Sequence, residues 1–177
     1  ALVLPSGWDL RERFLSKVEQ KLKAHPTRKA FYPGAHRLFE QFTAEYPEHK
    51  ALGAADDEVV PWTLLMNVGD GQGEYALNNE AWCGLIAVVD LEASDAADYL
   101  AKAVPFCNDR CWGTLSMNVL IHPKTEKANQ AAFDQAIAEL RYGGIGINCW
   151  TGLNYGLVNA TWGAFPGHPL DDIRSGQ

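Results

Sequence analysis

Residues 106–123 read FCNDRCWGTLSMNVLIHP, and residues 140–150 read LRYGGIGINCW. The first segment contains an apolar run at 115–121 that is typical of a strand, and a helical pattern follows it. The pair Gly143-Gly144 ends that helix, and residues 145–149 form a second short strand. A loop rich in glycine and aromatic residues comes next. Because ligands bind at the carboxyl ends of strands in open α/β sheets, we expect the ligand-binding surface at the loop that follows residue 149.

The rest of the chain continues this alternation of strands and helices. Apolar runs predict strands at 1–5, 62–68 and 85–91, while apolar residues three and four apart predict helices at 8–25, 36–46, 94–104 and 125–142. Residues 47–60 are polar and predict a surface loop, and the GDGQG segment at 69–73 predicts a turn that leads into an extended piece. The pattern favours an α/β fold: one domain, 1–177, with a mostly parallel open sheet and helices on both faces.

Composition excludes several classes of protein. The chain has 177 residues, of which 47% are hydrophobic and 21% charged, and its net charge is −7. An acidic surface repels phosphate backbones, so no nucleic-acid partner is expected. No apolar run reaches the roughly 20 residues that span a bilayer, so no membrane partner is expected. The four cysteines of an unsignalled, core-rich chain indicate reduced thiols in a cytoplasmic protein, and we expect no metal site.

Few residues offer chemistry on their own. The chain has no nucleophile elbow, Walker loop, HExxH or EF-hand pattern. Cys149 ends a predicted strand, but no partner base is evident, so the sequence favours a small packed thiol over a nucleophile. Glu80 precedes a buried strand; it is a surface residue, or it accepts hydrogen bonds from a ribose diol beside Trp82. Trp150 and Trp162 lie on the glycine-rich loop, where they line a substrate pocket or cover the core.

Four motifs in order resemble the aldehyde dehydrogenase superfamily, specifically the C-terminal part of its catalytic domain. Residues 80–84, EAWCG, are similar to the family's Glu-x-Phe-Gly-Pro motif. Residues 108–116 resemble its Asn-x-x-x-Tyr-Gly-Leu segment, and residues 144–148 resemble the strand that ends in valine and asparagine. The stretch from 162–167 to Ser175-Gly176 resembles its Phe-Gly-Gly…Ser-Gly loop. Tryptophan at 82 and Cys-Gly at 83–84 depart from the family pattern and indicate a divergent branch.

The resemblance implies roles for particular residues. In the family, the glutamate of the first motif holds the nicotinamide ribose, which corresponds to Glu80, and its aromatic residue flanks the nicotinamide, which corresponds to Trp82. The aromatic residue of the last loop lines the substrate tunnel, which corresponds to Trp162. The asparagine after the strand shapes the floor of the active site, which corresponds to Asn148. The expected substrate pocket is formed by Trp162, Asn148 and Trp150.

The resemblance also implies what this chain lacks. The family's nucleophilic cysteine, general base and cofactor-binding domain would lie before Ala1, so we expect no catalytic residue in this chain and a longer parent protein. That parent would be a homo-oligomer that oxidises an aldehyde to a carboxylic acid with NAD or NADP through a cysteine thioester. The chain alone would be inactive and bind no cofactor; its partners are an aldehyde and the missing N-terminal domain of the same protein.

Three alternatives stay open. A related acyl- or phosphate-handling reductase would use the same thioester chemistry in reverse. A non-catalytic relative would serve as a binding or scaffolding module. A free-standing hydrolase would use Cys149 as its nucleophile.

Overall fold

The computed structural model describes residues 1–171 and 173, which fall into two compact units, Ala1–Ser94 and a second unit beginning at Asp95. That the chain is one domain stays a prediction. The elements of the first unit are β1 (Leu2–Pro5), α1 (Arg11–Ala24), α2 (Ala35–Glu45), β2 (Lys50–Leu52), β3 (Trp62–Val68), α3 (Tyr75–Asn78) and β4 (Leu85–Leu91).

The first unit is built on a four-stranded sheet in the order β1-β4-β3-β2. β4 pairs in parallel with both β1 and β3, whereas β2 pairs antiparallel to β3. The central strands carry continuous apolar runs because both of their faces are covered; Leu64, Leu65, Val88 and Val89 are all fully buried. The expected mostly parallel sheet is confirmed. The loop expected at 47–60 is wrong in part, since β2 forms an edge strand within it.

Helix α1 packs on the sheet around Leu15. Leu15 is buried in a cluster with Leu4 of β1 and Val88 of β4, and the partly buried Phe14 packs against this cluster. Arg11 begins the helix and forms a two-pronged ion pair with Asp90 of β4, through Nε at 2.6 Å and Nη2 at 2.5 Å. This pair raises the pKa of the Arg11 guanidinium and ties the start of α1 to β4.

The second unit has a two-stranded parallel sheet. Its elements are α4 (Ala96–Arg110), β5 (Ser116–Val119), α5 (Pro123–Ala128), α6 (Gln130–Glu139), β6 (Gly144–Ile147) and α7 (Gly152–Gly156). β5 and β6 pair from Ser116 with Gly144 to Val119 with Ile147. Helices α4 and α6 pack together, and their buried residues include Phe106, Cys107, Phe133 and Ala136. Among the described helices, none combines the length and apolar character that crossing a bilayer needs.

The helix expected at 94–104 differs at both ends. Its N-cap is Asp95, whose carboxylate accepts the Asp98 N–H at 2.9 Å. The helix also continues through Pro105 to Arg110. A proline inside a helix removes one hydrogen bond and crowds the preceding turn. Here the turn beyond it buries Phe106, and that burial compensates.

The helix expected at 125–142 is two helices. His122 caps α5, and its Nδ1 accepts the Lys124 N–H at 3.1 Å. Asn129 separates α5 from α6, and α6 ends at Glu139. Two short helices form where the sequence predicts none. Helix α3 follows the 69–73 turn in place of the expected extended piece, and α7 lies within the aromatic loop.

Candidate functional site

Asn148 joins the carboxyl ends of β5 and β6. Its φ of 53° is left-handed, a conformation that asparagine tolerates better than most residues. Its N–H donates to the Val119 carbonyl at 2.8 Å, and its side-chain oxygen accepts the Ile121 N–H at 2.9 Å. Asn148 therefore fixes the edge of this sheet from which the aromatic loop departs, and the structure gives it a structural role at the expected place.

The turn after Asn148 carries Cys149 and Trp150 on its outside. Both side chains are exposed, and Trp150 retains 72% of its accessible surface. The indole lies over Gly152, where an added Cβ would come within 2.4 Å of the ring. The next residue, Thr151, is buried, and its N–H donates to the Asn118 side-chain oxygen at 2.9 Å. The turn is thus anchored to β5 beneath and presents Trp150 to solvent.

Trp162 lines a hollow of about 310 Å³ in the second unit, formed by residues 161–166 together with Tyr142 and Gly143. Its ring packs edge-on against Tyr155, with centroids 5.4 Å apart at 73°. The volume is at the lower end of the range of about 300–1,000 Å³ typical of ligand pockets. The hollow has room for a small organic molecule beside an aromatic wall. Neither Asn148 nor Trp150 lines it.

Thr114 anchors both walls of this hollow. Its carbonyl accepts the Gly143 N–H at 2.9 Å and the Phe165 N–H at 3.1 Å. Its hydroxyl is hydrogen-bonded to the His168 Nε2 atom at 2.9 Å. The Gly143 backbone lies so close to the Gly163 carbonyl that a Cβ on Gly143 would be 1.7 Å from that oxygen. The segment that carries Trp162 therefore packs directly against the residue that precedes β6.

Glu80 and Trp82 lie between α3 and β4 in the first unit. Trp82 has a left-handed φ of 52°, and its ring packs against Tyr32 with centroids 4.6 Å apart at 61°. Tyr32 in turn packs edge-on against Phe31 at 5.1 Å. Trp82 is 44% exposed, Tyr32 is 46% exposed and Phe31 is 86% exposed. We call Phe31, Tyr32 and Trp82 the aromatic trio.

The Glu80 carboxylate is exposed, and it forms no hydrogen bond or ion pair with any of residues 1–171 or 173. A carboxylate with both oxygens open to solvent fits the acceptor that a ribose diol requires, because each ionised oxygen accepts a hydroxyl. The chemistry of this carboxylate is compatible with a sugar diol, and its assignment to a cofactor stays a prediction. Trp82, two residues away and held by Tyr32, supplies a fixed aromatic surface.

The sequence alone did not single out the aromatic trio as a group. Tyr32 and Trp82 are fifty positions apart, so their contact depends on the fold. The one signal was an adjacent aromatic pair, Phe31-Tyr32, in a polar stretch before Pro33. The roles assigned to Glu80, Trp82 and the residues of the second unit stay predictions. Ser175 and Gly176, which complete the last motif, lie outside the described residues.

The four cysteines are free thiols in the structure. Burial raises the pKa of the Cys83 thiol. Cys149 is exposed, and no described residue forms a hydrogen bond with it. Within residues 1–171 and 173, no three histidine, cysteine or acidic side chains are grouped so that they could hold a metal ion.

Comparison with models of known protein families gives no match, and a search of curated proteins also finds none. Solved structures do match. A salicylaldehyde dehydrogenase from Pseudomonas putida G7 aligns over 92% of this chain and 33% of its own, with a TM-score of 0.69 and 16% identity. Lactaldehyde dehydrogenase from Escherichia coli aligns over 82% of this chain and 31% of its own, with a TM-score of 0.61 and 19% identity.

Proline utilization A from Bdellovibrio bacteriovorus aligns over 99% of this chain but 18% of its own, with a TM-score of 0.66 and 16% identity. This chain thus spans a third or less of the length of these proteins. At such identities the likeness concerns the fold. The expected α/β fold and the resemblance to part of an aldehyde dehydrogenase are confirmed at that level.

Proposed function

We propose that this chain, whose fold resembles part of an aldehyde dehydrogenase, belongs to the catalytic domain of a longer enzyme that oxidises an aldehyde to a carboxylic acid with NAD or NADP through a cysteine thioester. The observation that carries the proposal is the fold likeness, which extends over 92% of this chain in the salicylaldehyde dehydrogenase match. The four sequence motifs, in the family's order, support it independently.

Glu80 and Trp82 would hold the nicotinamide half of the cofactor. The exposed Glu80 carboxylate would accept hydrogen bonds from the ribose hydroxyls, and charge-assisted bonds of this kind are among the stronger ones. The Trp82 ring would flank the nicotinamide, with its tilt fixed by Tyr32. When bound, NAD or NADP accepts the hydride that leaves the substrate.

Trp162 would form the apolar wall for the aldehyde. The hollow beside it holds about 310 Å³ and is lined by Phe165 as well, so it has room for a small aldehyde. Asn148 would fix the neighbouring sheet edge through its hydrogen bonds to Val119 of β5 and to Ile121, two residues beyond that strand. Trp150 lies on the exposed side of the adjoining turn and does not line this hollow, so its proposed contact with the aldehyde would require a larger pocket in the parent protein.

The chain alone would not carry out the reaction. Covalent aldehyde oxidation requires a thiolate activated by a neighbouring base or by a lowered pKa. Burial raises the pKa of Cys83, and the exposed Cys149 has no hydrogen-bonding partner within the described part of the chain. The pKa of Cys111 is lowered by the neighbouring Cys107, which is a thiol and not a general base. The nucleophile would come from the rest of the parent protein.

The test is an assay of aldehyde-dependent formation of reduced cofactor, with NAD and NADP supplied separately. Salicylaldehyde and lactaldehyde are suitable first substrates, since enzymes that share the fold are named for them. We expect turnover by the parent protein and none by the purified 177-residue chain. Turnover by the chain alone would disprove the proposal that the nucleophile comes from the rest of the parent protein. A parent protein that neither oxidises aldehydes nor binds cofactor would support the scaffolding alternative instead.

A further inference from the structure

The stretch from Glu74 to Trp82 carries both residues that the proposed function assigns to the cofactor. It contains α3, and Glu80 and Trp82 follow that helix. The exposed Glu80 carboxylate has no hydrogen-bonding partner among the described residues, so no polar contact of its own side chain fixes its position. The contacts that hold the backbone on either side of Glu80 therefore decide where the carboxylate lies. We call residues 74–82 the α3 segment.

Helix α2 holds the first part of the α3 segment. Its C-cap, Tyr46, donates through its hydroxyl to the Glu74 carboxylate, and the same hydroxyl oxygen accepts the Ala76 N–H at 2.9 Å. One turn earlier, the buried Phe42 ring packs edge-on against Tyr75, with centroids 4.9 Å apart at 64°. Because residues four apart lie on the same side of a helix, these two contacts form one surface of α2.

The residues just before α2 hold the other end of the α3 segment. The Tyr32 carbonyl accepts the Ala35 N–H at 3.1 Å, which fixes Tyr32 to the start of the helix, and its ring packs against Trp82. Trp82 needs this support, because a bulky residue keeps a left-handed φ only where its surroundings impose it. The 11 residues of α2 span about 16 Å, so one short helix separates the two points of attachment.

We propose that Tyr46 is a positioning residue for Glu80, because its hydroxyl ties the backbone before Glu80 to α2 and so holds the carboxylate where the cofactor ribose binds. This inference rests on the proposed function, which assigns Glu80 to the ribose. Tyr46 itself does not touch the cofactor, since Glu74 and Ala76 occupy its hydroxyl. Its effect is to prepare the site: a carboxylate that is already in place loses less conformational freedom when the cofactor binds.

The first experiment follows amide hydrogen exchange in the 177-residue chain. Tyr46→Phe removes the hydroxyl and keeps the ring, so the Ala76 N–H loses its acceptor. We expect exchange within residues 75–82 to become about fivefold faster or more, and to increase there more than in β3 and β4. Tyr75→Phe is the matched control, because no described residue forms a hydrogen bond with that hydroxyl, and its exchange should be unchanged. Unchanged exchange within 75–82 in Tyr46→Phe, or an equal increase throughout the first unit, would overturn the proposal.

The second experiment measures the equilibrium Kd of the parent protein for NAD or NADP by calorimetric titration. We expect Tyr46→Phe to raise the Kd about two- to tenfold and Tyr75→Phe to leave it unchanged. Because Tyr46 acts through Glu80, Tyr46→Phe should weaken binding no further once Glu80→Gln is present. A general loss of structure would instead multiply the two effects.

The outcomes distinguish this inference from the proposed function. If Glu80→Gln weakens cofactor binding but Tyr46→Phe does not, or if the two effects multiply, the positioning role of Tyr46 is overturned and the proposed function stands. If Glu80→Gln leaves the Kd unchanged, the assignment of Glu80 to the ribose and the positioning role of Tyr46 are both overturned.

Discussion

Replacement of Gly143 by alanine should destabilise the second unit through one close approach. The new methyl carbon would lie 1.7 Å from the Gly163 carbonyl oxygen and 2.9 Å from the Ala164 carbonyl carbon. Real Cβ atoms do not approach another atom within 3.0 Å, so the segment that carries Trp162 must move outward. That movement strains the Phe165 N–H bond to Thr114, which measures 3.1 Å.

The cost combines two effects. Overpacking costs about 1–3 kcal/mol, and a weakened hydrogen bond adds about 1 kcal/mol. We therefore expect a loss of about 2–4 kcal/mol, which lowers the Tm by about 4–16 °C for a chain of this length. Thermal unfolding followed by circular dichroism measures the shift.

Gly156→Ala is the matched control. Nothing lies within 4 Å of the added methyl at Gly156, in the last turn of α7. We expect this variant to be unchanged or more stable by about 0.4–1 kcal/mol, because alanine restricts the unfolded chain. If Gly143→Ala unfolds within about 0.5 kcal/mol of the unaltered chain, the close packing of the Trp162 segment on Gly143 is refuted.

Two further predictions concern the first unit. Burial, and then a hydrogen bond to Glu74, raise the pKa of Tyr46 from 10.0 to about 12, so its contribution to stability is present below pH 10 and is lost as the pH rises toward about 12. The free energy of unfolding, measured with urea, should decline between pH 10 and about 12, and the decline should be smaller in Tyr46→Phe. Equal declines in both proteins would contradict the raised pKa of Tyr46. Asp90→Asn should cost about 1.5–3 kcal/mol, because the Arg11 guanidinium, 14% exposed, loses its two-pronged partner and keeps only the exposed Glu12 carboxylate. Glu58→Gln breaks an ion pair whose side chains are 74% and 66% exposed, and should cost no more than about 0.5 kcal/mol by the same measurement; equal losses would contradict this reasoning.

The central strands could be predicted from the sequence, because β3 and β4 begin and end at the same residues as the apolar runs at 62–68 and 85–91. Short edge elements could not: Lys50–Leu52 becomes a strand only because β3 lies beside it. Pro105 misled the prediction of where α4 ends. A local rule stops a helix at proline, whereas burial of the following turn decides the outcome here.

The site was predictable only as single residues. Glu80 and Trp82 stood out by motif, but the packing of Tyr32 on Trp82 joins segments fifty positions apart and leaves no periodic signal. Trp162 likewise stood out in its loop, but its hollow depends on the contact between Gly143 and Gly163. The separation of Trp150 from that hollow follows from how the turn after β6 folds, which composition does not encode.

The most direct test of the proposed function is the cofactor dependence of the parent enzyme with Glu80→Gln, compared with Asp70→Asn. Both changes remove one exposed negative charge in the segment between β3 and β4, but only Glu80 is assigned to the ribose. One lost charge-assisted hydrogen bond, worth about 1.5–3 kcal/mol, predicts that Glu80→Gln raises the KM for NAD or NADP about tenfold or more. The KM for the aldehyde should be unchanged, and Asp70→Asn should behave as the unaltered enzyme. An unchanged cofactor KM in Glu80→Gln, or an equal rise in Asp70→Asn, would contradict the account.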